Sequence, residues 1–104
     1  MTEKMEKTKE VKNMEGNVVL IGRKPVMNYV VACLTFFNSG EKQVTVKARG
    51  RAICTAVDTV ELLRRAFVKD LELQSICIGT EELQRVEENR KINVSTIEIN
   101  LAKP

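Results

Sequence analysis

The chain has no histidine and no tryptophan, and aromatic residues make up only 4% of its 104 positions. Without histidine it lacks the side chain most used for general acid–base catalysis and for charge switching near neutral pH. Its three cysteines, Cys33, Cys54 and Cys77, are far apart, and no Cys-x-x-Cys pair occurs. A zinc site is therefore not expected, nor any other cofactor, and the cysteines read as reduced thiols, mostly buried as small hydrophobes. No apolar run approaches the roughly 20 residues of a membrane helix. The first residues, MTEKMEKTKEVKNMEG, contain no apolar stretch of the kind a secretory signal needs. A cytosolic protein without a membrane partner is expected. Asp58 and Glu61 share a helix face, but nothing accompanies them as nucleophile or ligand, so an enzyme is not expected.

What is present is charge, unevenly spread. The net charge is +3. In residues 1–15 four lysines and four glutamates cancel, and with almost no large apolar groups this stretch reads as a disordered tail. Residues 16–69 carry nine Lys/Arg against three Asp/Glu, and residues 70–104 carry four against seven. The basic character is thus concentrated in the middle of one domain, residues 16–104, and such clustering matters more to a polyanion than the total does.

Apolar spacing gives the order of elements. Val18, Val19, Leu20 and Ile21 form a continuous run, the pattern of a strand buried on both faces. Pro25 suits the first position of a helix, with Tyr29, Val30, Cys33, Phe36 and Phe37 at helical spacing and Gly40 as a left-handed stop. A second strand follows over residues 43–48. A second helix has the apolar stripe Ile53, Val57, Val60, Leu63 and Phe67. Two further strands, residues 72–79 and 92–101, flank a polar stretch into which they can continue as a long hairpin. In the last strand the apolar phase slips between Val94 and Ile97. That slip signals either a bulge or a change from a projecting arm to the packed body. The order βαβαββ implies an α/β fold of the α+β two-layer sandwich type. Its first two strands are parallel, both helices cover one face of a four-stranded mixed sheet, and a C-terminal hairpin forms an arm.

Two basic loops stand out in this order. Arg23-Lys24-Pro25 follows the first strand, and Lys47-Ala48-Arg49-Gly50-Arg51 closes the second. Each leaves the carboxyl end of a parallel strand and enters a helix, where free N–H groups and the helix dipole favour an anion. Cationic side chains add charge-assisted bonds to phosphate oxygens. Such contacts position a backbone without reading bases. Arg64 and Arg65 read as a solvated helix face. The few aromatics lie at core spacing rather than as a stacking platform.

Across about residues 17–101 the chain closely resembles the Alba family of archaeal chromatin proteins. The resemblance is carried by NVVLIGRKPVMNYV, by KARGRAI, by AVDTVELLRR followed by Phe67, and by VSTIEI near the end. It implies a fold similar to the C-terminal domain of bacterial translation initiation factor three. It also implies a homodimer bound to double-stranded DNA, and often to RNA, with little sequence preference. On this resemblance Arg23 and Lys24 contact nucleic acid, as do Arg49 and Arg51, and Lys47 joins them from the basic chemistry of the second loop. The hairpin carries Arg85, Arg90 and Lys91 along the minor groove, and Phe67 mediates packing between dimers. The resemblance further places the protein on the chromosome. Relatives often have paired lysines in the first loop, the first of which is open to acetylation; Arg23 cannot take that modification. Glu81, Glu82, Glu87 and Glu88 in the hairpin region oppose a polyanion, so weak and salt-sensitive binding is expected. Two other readings stay open from the residues: binding of structured RNA in a ribonucleoprotein, and a protein-interaction or translation-factor-like module.

Overall fold

β-Branched residues crowd the side chain against the backbone and favour an extended chain, and the run that begins at Val18 forms the first strand. The computed structural model describes residues 17–85, 87 and 89–104. The expected tail over residues 1–15 lies outside the described residues, as does Glu88. The elements are β1 (Val18–Leu20), α1 (Val26–Asn38), β2 (Gln43–Arg49), α2 (Ala52–Leu62), β3 (Glu72–Arg85) and β4 (Arg90–Ala102). This is the βαβαββ order read from the sequence, folded as an α+β two-layer sandwich.

The sheet runs β1-β2-β4-β3. β1 and β2 are parallel, with Val19 beside Val46. β4 is antiparallel to both of its neighbours, with Leu101 between Val44 and Leu73. Both helices cover one face. Val30, Cys33 and Phe37 of α1 join Ala56 and Val60 of α2 and the following Leu63 over Val19, Val44, Val46, Ile99 and Leu101. Burial by helices on that side alone corrects the reading of β1. Val19 is buried, but Leu20 points to the uncovered face and is 52% exposed.

The stripe of α2 is also corrected. The buried residues are Ala56, Thr59 and Val60, whereas Val57 is 42% exposed. A small side chain lets the helix approach closely at Ala56. Thr59 is tolerated in the core because its Oγ1 donates to the Thr55 carbonyl at 2.7 Å. The α-helix then widens into a π-helical turn, Leu63–Phe67, closed by Val68 N–H donating to the Leu63 carbonyl at 2.7 Å. Gly40 and Gly50 both have positive φ, 102° and 60°, as the helix stop and the second loop require.

The phase slip in β4 is the arm-to-body change and not a bulge in that strand, because β4 pairs without interruption from Arg90 to Ala102. The bulge lies instead in β3, at Gln74 between Leu73 and Ser75. β2 accompanies β4 only as far as the Arg49–Thr96 pair. Beyond it β3 and β4 pair with each other alone, which forms the expected arm and stretches the molecule to 47 × 23 × 23 Å. The thiols depart from expectation: Cys33 is buried, but Cys54 and Cys77 are exposed. Among the described residues no helix is long and apolar enough to cross a membrane.

Truncation of Leu101, fully buried between two strands, is expected to cost about 2–5 kcal/mol. Val57→Ala, on the solvent side of α2, is expected to cost less than about 1 kcal/mol. Urea unfolding of the two variants measures the difference, and equal losses would restore the stripe drawn from spacing.

Candidate nucleic-acid interface

The first loop is built around one hydroxyl. Tyr29 sits in the first turn of α1 with its ring in the core. Its Oη accepts two backbone bonds, from Gly22 N–H at 2.8 Å and Lys24 N–H at 3.0 Å. A Cβ on Gly22 would stand 3.4 Å from that oxygen, so the loop backbone lies against it. Ile21 N–H continues the strand pairing to the Lys47 carbonyl at 2.9 Å. The chain between is thereby fixed, with Arg23 and Lys24 both exposed on it. Tyr29 was legible only as a core residue. The signal that could have found it is that a buried tyrosine hydroxyl needs a partner, and the polar groups nearest in sequence are those of the loop. Pro25 precedes the helix as its N-cap, one position earlier than expected.

The second loop turns on Gly50. Its N–H donates to the Ser95 carbonyl at 2.8 Å, which ties the loop to β4, and its carbonyl accepts from Ile53 N–H at 3.2 Å. Arg51 is the exposed N-cap of α2. Neither α1 nor α2 has a side chain capping its N-terminus, and neither has a carboxylate in its first turn. Among the described residues, neither helix dipole has a carboxylate from its own first turn or cap at its positive end.

Topology brings these features to one edge. β1 and β2 are parallel, so both loops leave the same end of the sheet. β4 is antiparallel to β2, so the arm departs from that end too, just past the Arg49–Thr96 pair. The arm cations lie farther out. Arg85 is opposite Arg90, and Gln84 is opposite Lys91, at the distal turn where Asn89 has φ 51°. At about 3.3 Å per residue the Arg85–Arg90 pair stands roughly 20 Å beyond the body. The structure thus gathers Arg23, Lys24, Lys47, Arg49 and Arg51 at one end and holds Arg85, Arg90 and Lys91 apart from them on the arm.

The cations are not equally accessible to an anion. Lys47 Nζ lies 3.7 Å from Glu98 Oε1, and the Arg49 guanidinium is paired with Glu81. Arg23, Lys24 and Arg51 have no carboxylate partner among the described residues. Glu81 and Glu82 occupy the base of the arm, not its tip. Lys47 and Arg49 also line a groove of about 570 Å³ on the uncovered face, together with Leu20, Cys77, Glu81 and Glu98. Arg64 pairs with Glu61 at 3.2 Å on an exposed helix face, as its spacing suggested. Phe67 is 46% exposed at the end of the π-helical turn. Burial pushes the Cys33 thiol up to about 12, so it stays protonated and inert. No group of His, Cys, Asp or Glu suited to a metal occurs among the described residues.

The sequence pattern of the Alba family matches residues 17–80. The chain belongs to the Alba family. A DNA/RNA-binding protein Alba from Methanocella arvoryzae is 58% identical over 90 residues, covering 86% of this chain and 93% of its own length. DNA/RNA-binding protein Alba 1 from Archaeoglobus fulgidus is 52% identical over 90 residues, covering 86% and 99%. Among solved structures, Alba from Thermoplasma volcanium superposes with a TM-score of 0.79 at 42% identity. It covers 84% of this chain and all (100%) of its own. ALBA1 from Trypanosoma brucei gives a TM-score of 0.66 at 30% identity, covering 84% and 68%. The two-layer sandwich with its four-stranded sheet is therefore the Alba fold.

Tyr29→Phe removes the acceptor that anchors the first loop. Amide exchange at Gly22 and Lys24 is expected to accelerate about fivefold, in line with the roughly 1 kcal/mol a hydrogen bond contributes. NMR-detected exchange checks this, and unchanged rates at both amides would show that the loop is held by something else.

Proposed function

We propose that the protein is a dimeric chromosome-binding protein that holds double-stranded DNA with little regard to sequence. The observation that carries this reading is the shared sheet edge. Two helix N-termini without a side-chain cap or a first-turn carboxylate, the exposed Arg23, Lys24 and Arg51, and the start of the arm all belong to it. Phosphate satisfies the free N–H groups, the helix dipoles and the cations at once. Lys47 and Arg49 extend this surface, and Arg85, Arg90 and Lys91 follow the minor groove from the arm. Phosphate contacts of this kind follow backbone geometry rather than base identity.

Support for a dimer comes from β3. Leu73, Ile76 and Ile78 face the same side as the core residues Leu101, Ile99 and Ile97, yet the helices do not reach them. Ile78 is 81% and Ile76 55% exposed. A second copy covering this strip gives a twofold particle with two basic edges and two arms. Phe67, on α2's far end, then serves contacts between dimers along the DNA. Ile78→Asp is expected to convert the protein to a monomer, read as a halved mass by sedimentation equilibrium. A variant that keeps the native mass would remove β3 from the interface.

The relatives' names include RNA as well as DNA, and phosphate is common to both, so structured RNA is the second reading. Competition between duplex DNA and structured RNA for one protein population separates them. Replacing Arg23 and Lys24 together by alanine is expected to weaken binding to all duplex sequences alike. It should also make the log–log salt slope shallower by about 0.9 for each phosphate no longer neutralised. Weakening confined to one sequence would point to base reading, and unchanged affinity would exclude the first loop.

A further inference from the structure

The arm's base holds one of the cations assigned to phosphate. Arg49 is opposite Thr96 of β4, which is opposite Gly79 of β3, and Glu81 is two residues farther along β3 on the same uncovered face. Gly79 contributes no side chain there, and a Cβ at that position would stand 3.3 Å from Thr96 Oγ1. Across this opening the Arg49 guanidinium reaches over β4 and bonds the Glu81 carboxylate. The side chains of Arg49 and Glu81 remain 58% and 48% exposed, so the pair is open to water and to exchange. Beside it Lys47 faces Glu98, its direct partner on β4.

We infer that Glu81 is an internal stand-in for phosphate, which occupies Arg49 in the free protein and sets how tightly the chain takes up nucleic acid. The inference rests on the nucleic-acid reading above. A carboxylate offers the guanidinium the same forked acceptor that a phosphate does, so the two compete for one site. An exposed ion pair is weak, so phosphate can displace Glu81. Displacement leaves the carboxylate bare beside a polyanion, which adds repulsion to the broken pair. Glu81 therefore opposes binding twice, once through Arg49 and once through its own charge. Glu82, the next residue, alternates to the other face of the arm and opposes binding through charge alone.

This difference supplies the test. Full-length E81Q and E82Q undergo the same change in net charge, and only the first releases Arg49. Each is titrated, with the native chain, against one fluorescent duplex DNA and one structured RNA at several salt concentrations. E81Q is expected to bind about three- to tenfold tighter at low salt, with the gain shrinking as screening increases. E82Q is expected to gain less than about twofold. Arg49→Ala should cost more affinity in the E81Q background than in the native chain. An E81Q affinity equal to native, or an E82Q gain as large as that of E81Q, would overturn the inference while leaving nucleic-acid binding intact. Absence of binding to both nucleic acids by all three proteins would overturn the nucleic-acid reading and this inference together.

Discussion

β4 lies between β2 and β3 and runs antiparallel to both, and this pairing decides which groups can meet. Its inner half is the most buried part of the sheet, with Ile99 and Leu101 under the helices. Its outer half runs past the end of β2 and survives on β3 alone. A two-stranded ribbon is marginal in water by itself, so the arm depends on the hydrophobic body in which both of its strands are rooted. Because the strand reverses the direction of β2, the arm leaves the body where the two crossover loops also emerge. The clustering of positive groups at one end is thus a result of strand order, not of their closeness in sequence.

The two ends of the hairpin obey different rules. In the body, apolar side chains alternate toward the helices. In the arm, Ile92 and Val94 are half-buried on the other face, and Val94 Cγ1 would lie 3.5 Å from a Cβ at Gly50. The second loop is therefore packed against the root of the arm as well as hydrogen-bonded to it. Loop and arm share a footing, and a disturbance at Gly50 reaches both.

Much of the architecture was legible because it rests on local spacing. The helices, the parallel pair, the loops and the hairpin follow from apolar period, from Pro25, and from the glycines at positions 40 and 50. What escaped depends on contacts between distant residues. Apolar count favoured Val57 over Ala56 and Thr59, but close approach to the sheet selects a small side chain and a threonine with an internal acceptor. The bulge at Gln74 does break an apolar phase, from Leu73 to Ile76 and Ile78, but a single leucine ahead of it is too short a pattern to mark the slip. Tyr29 gives only the general sign that a buried hydroxyl needs a partner, and spacing alone does not tell that the partners are the Gly22 and Lys24 amides of the first loop. The pairing of Arg49 with Glu81 joins residues 32 apart, so composition revealed two opposing charges but not that they touch.

The π-helical turn at Leu63–Phe67 has a consequence of a different kind. A π turn holds one residue more than the α turn it replaces. Each residue of an α-helix advances the side-chain direction by about 100°, so the extra residue rotates everything after it relative to the buried stripe. The aspect that Phe67 presents to solvent is consequently fixed by the number of residues before it rather than by their identity. Past the buried Leu63, substitutions in this stretch are the mild changes and single-residue deletions the severe ones, since a deletion would turn the phenylalanine to a new heading while leaving the core residues of α2 where they are.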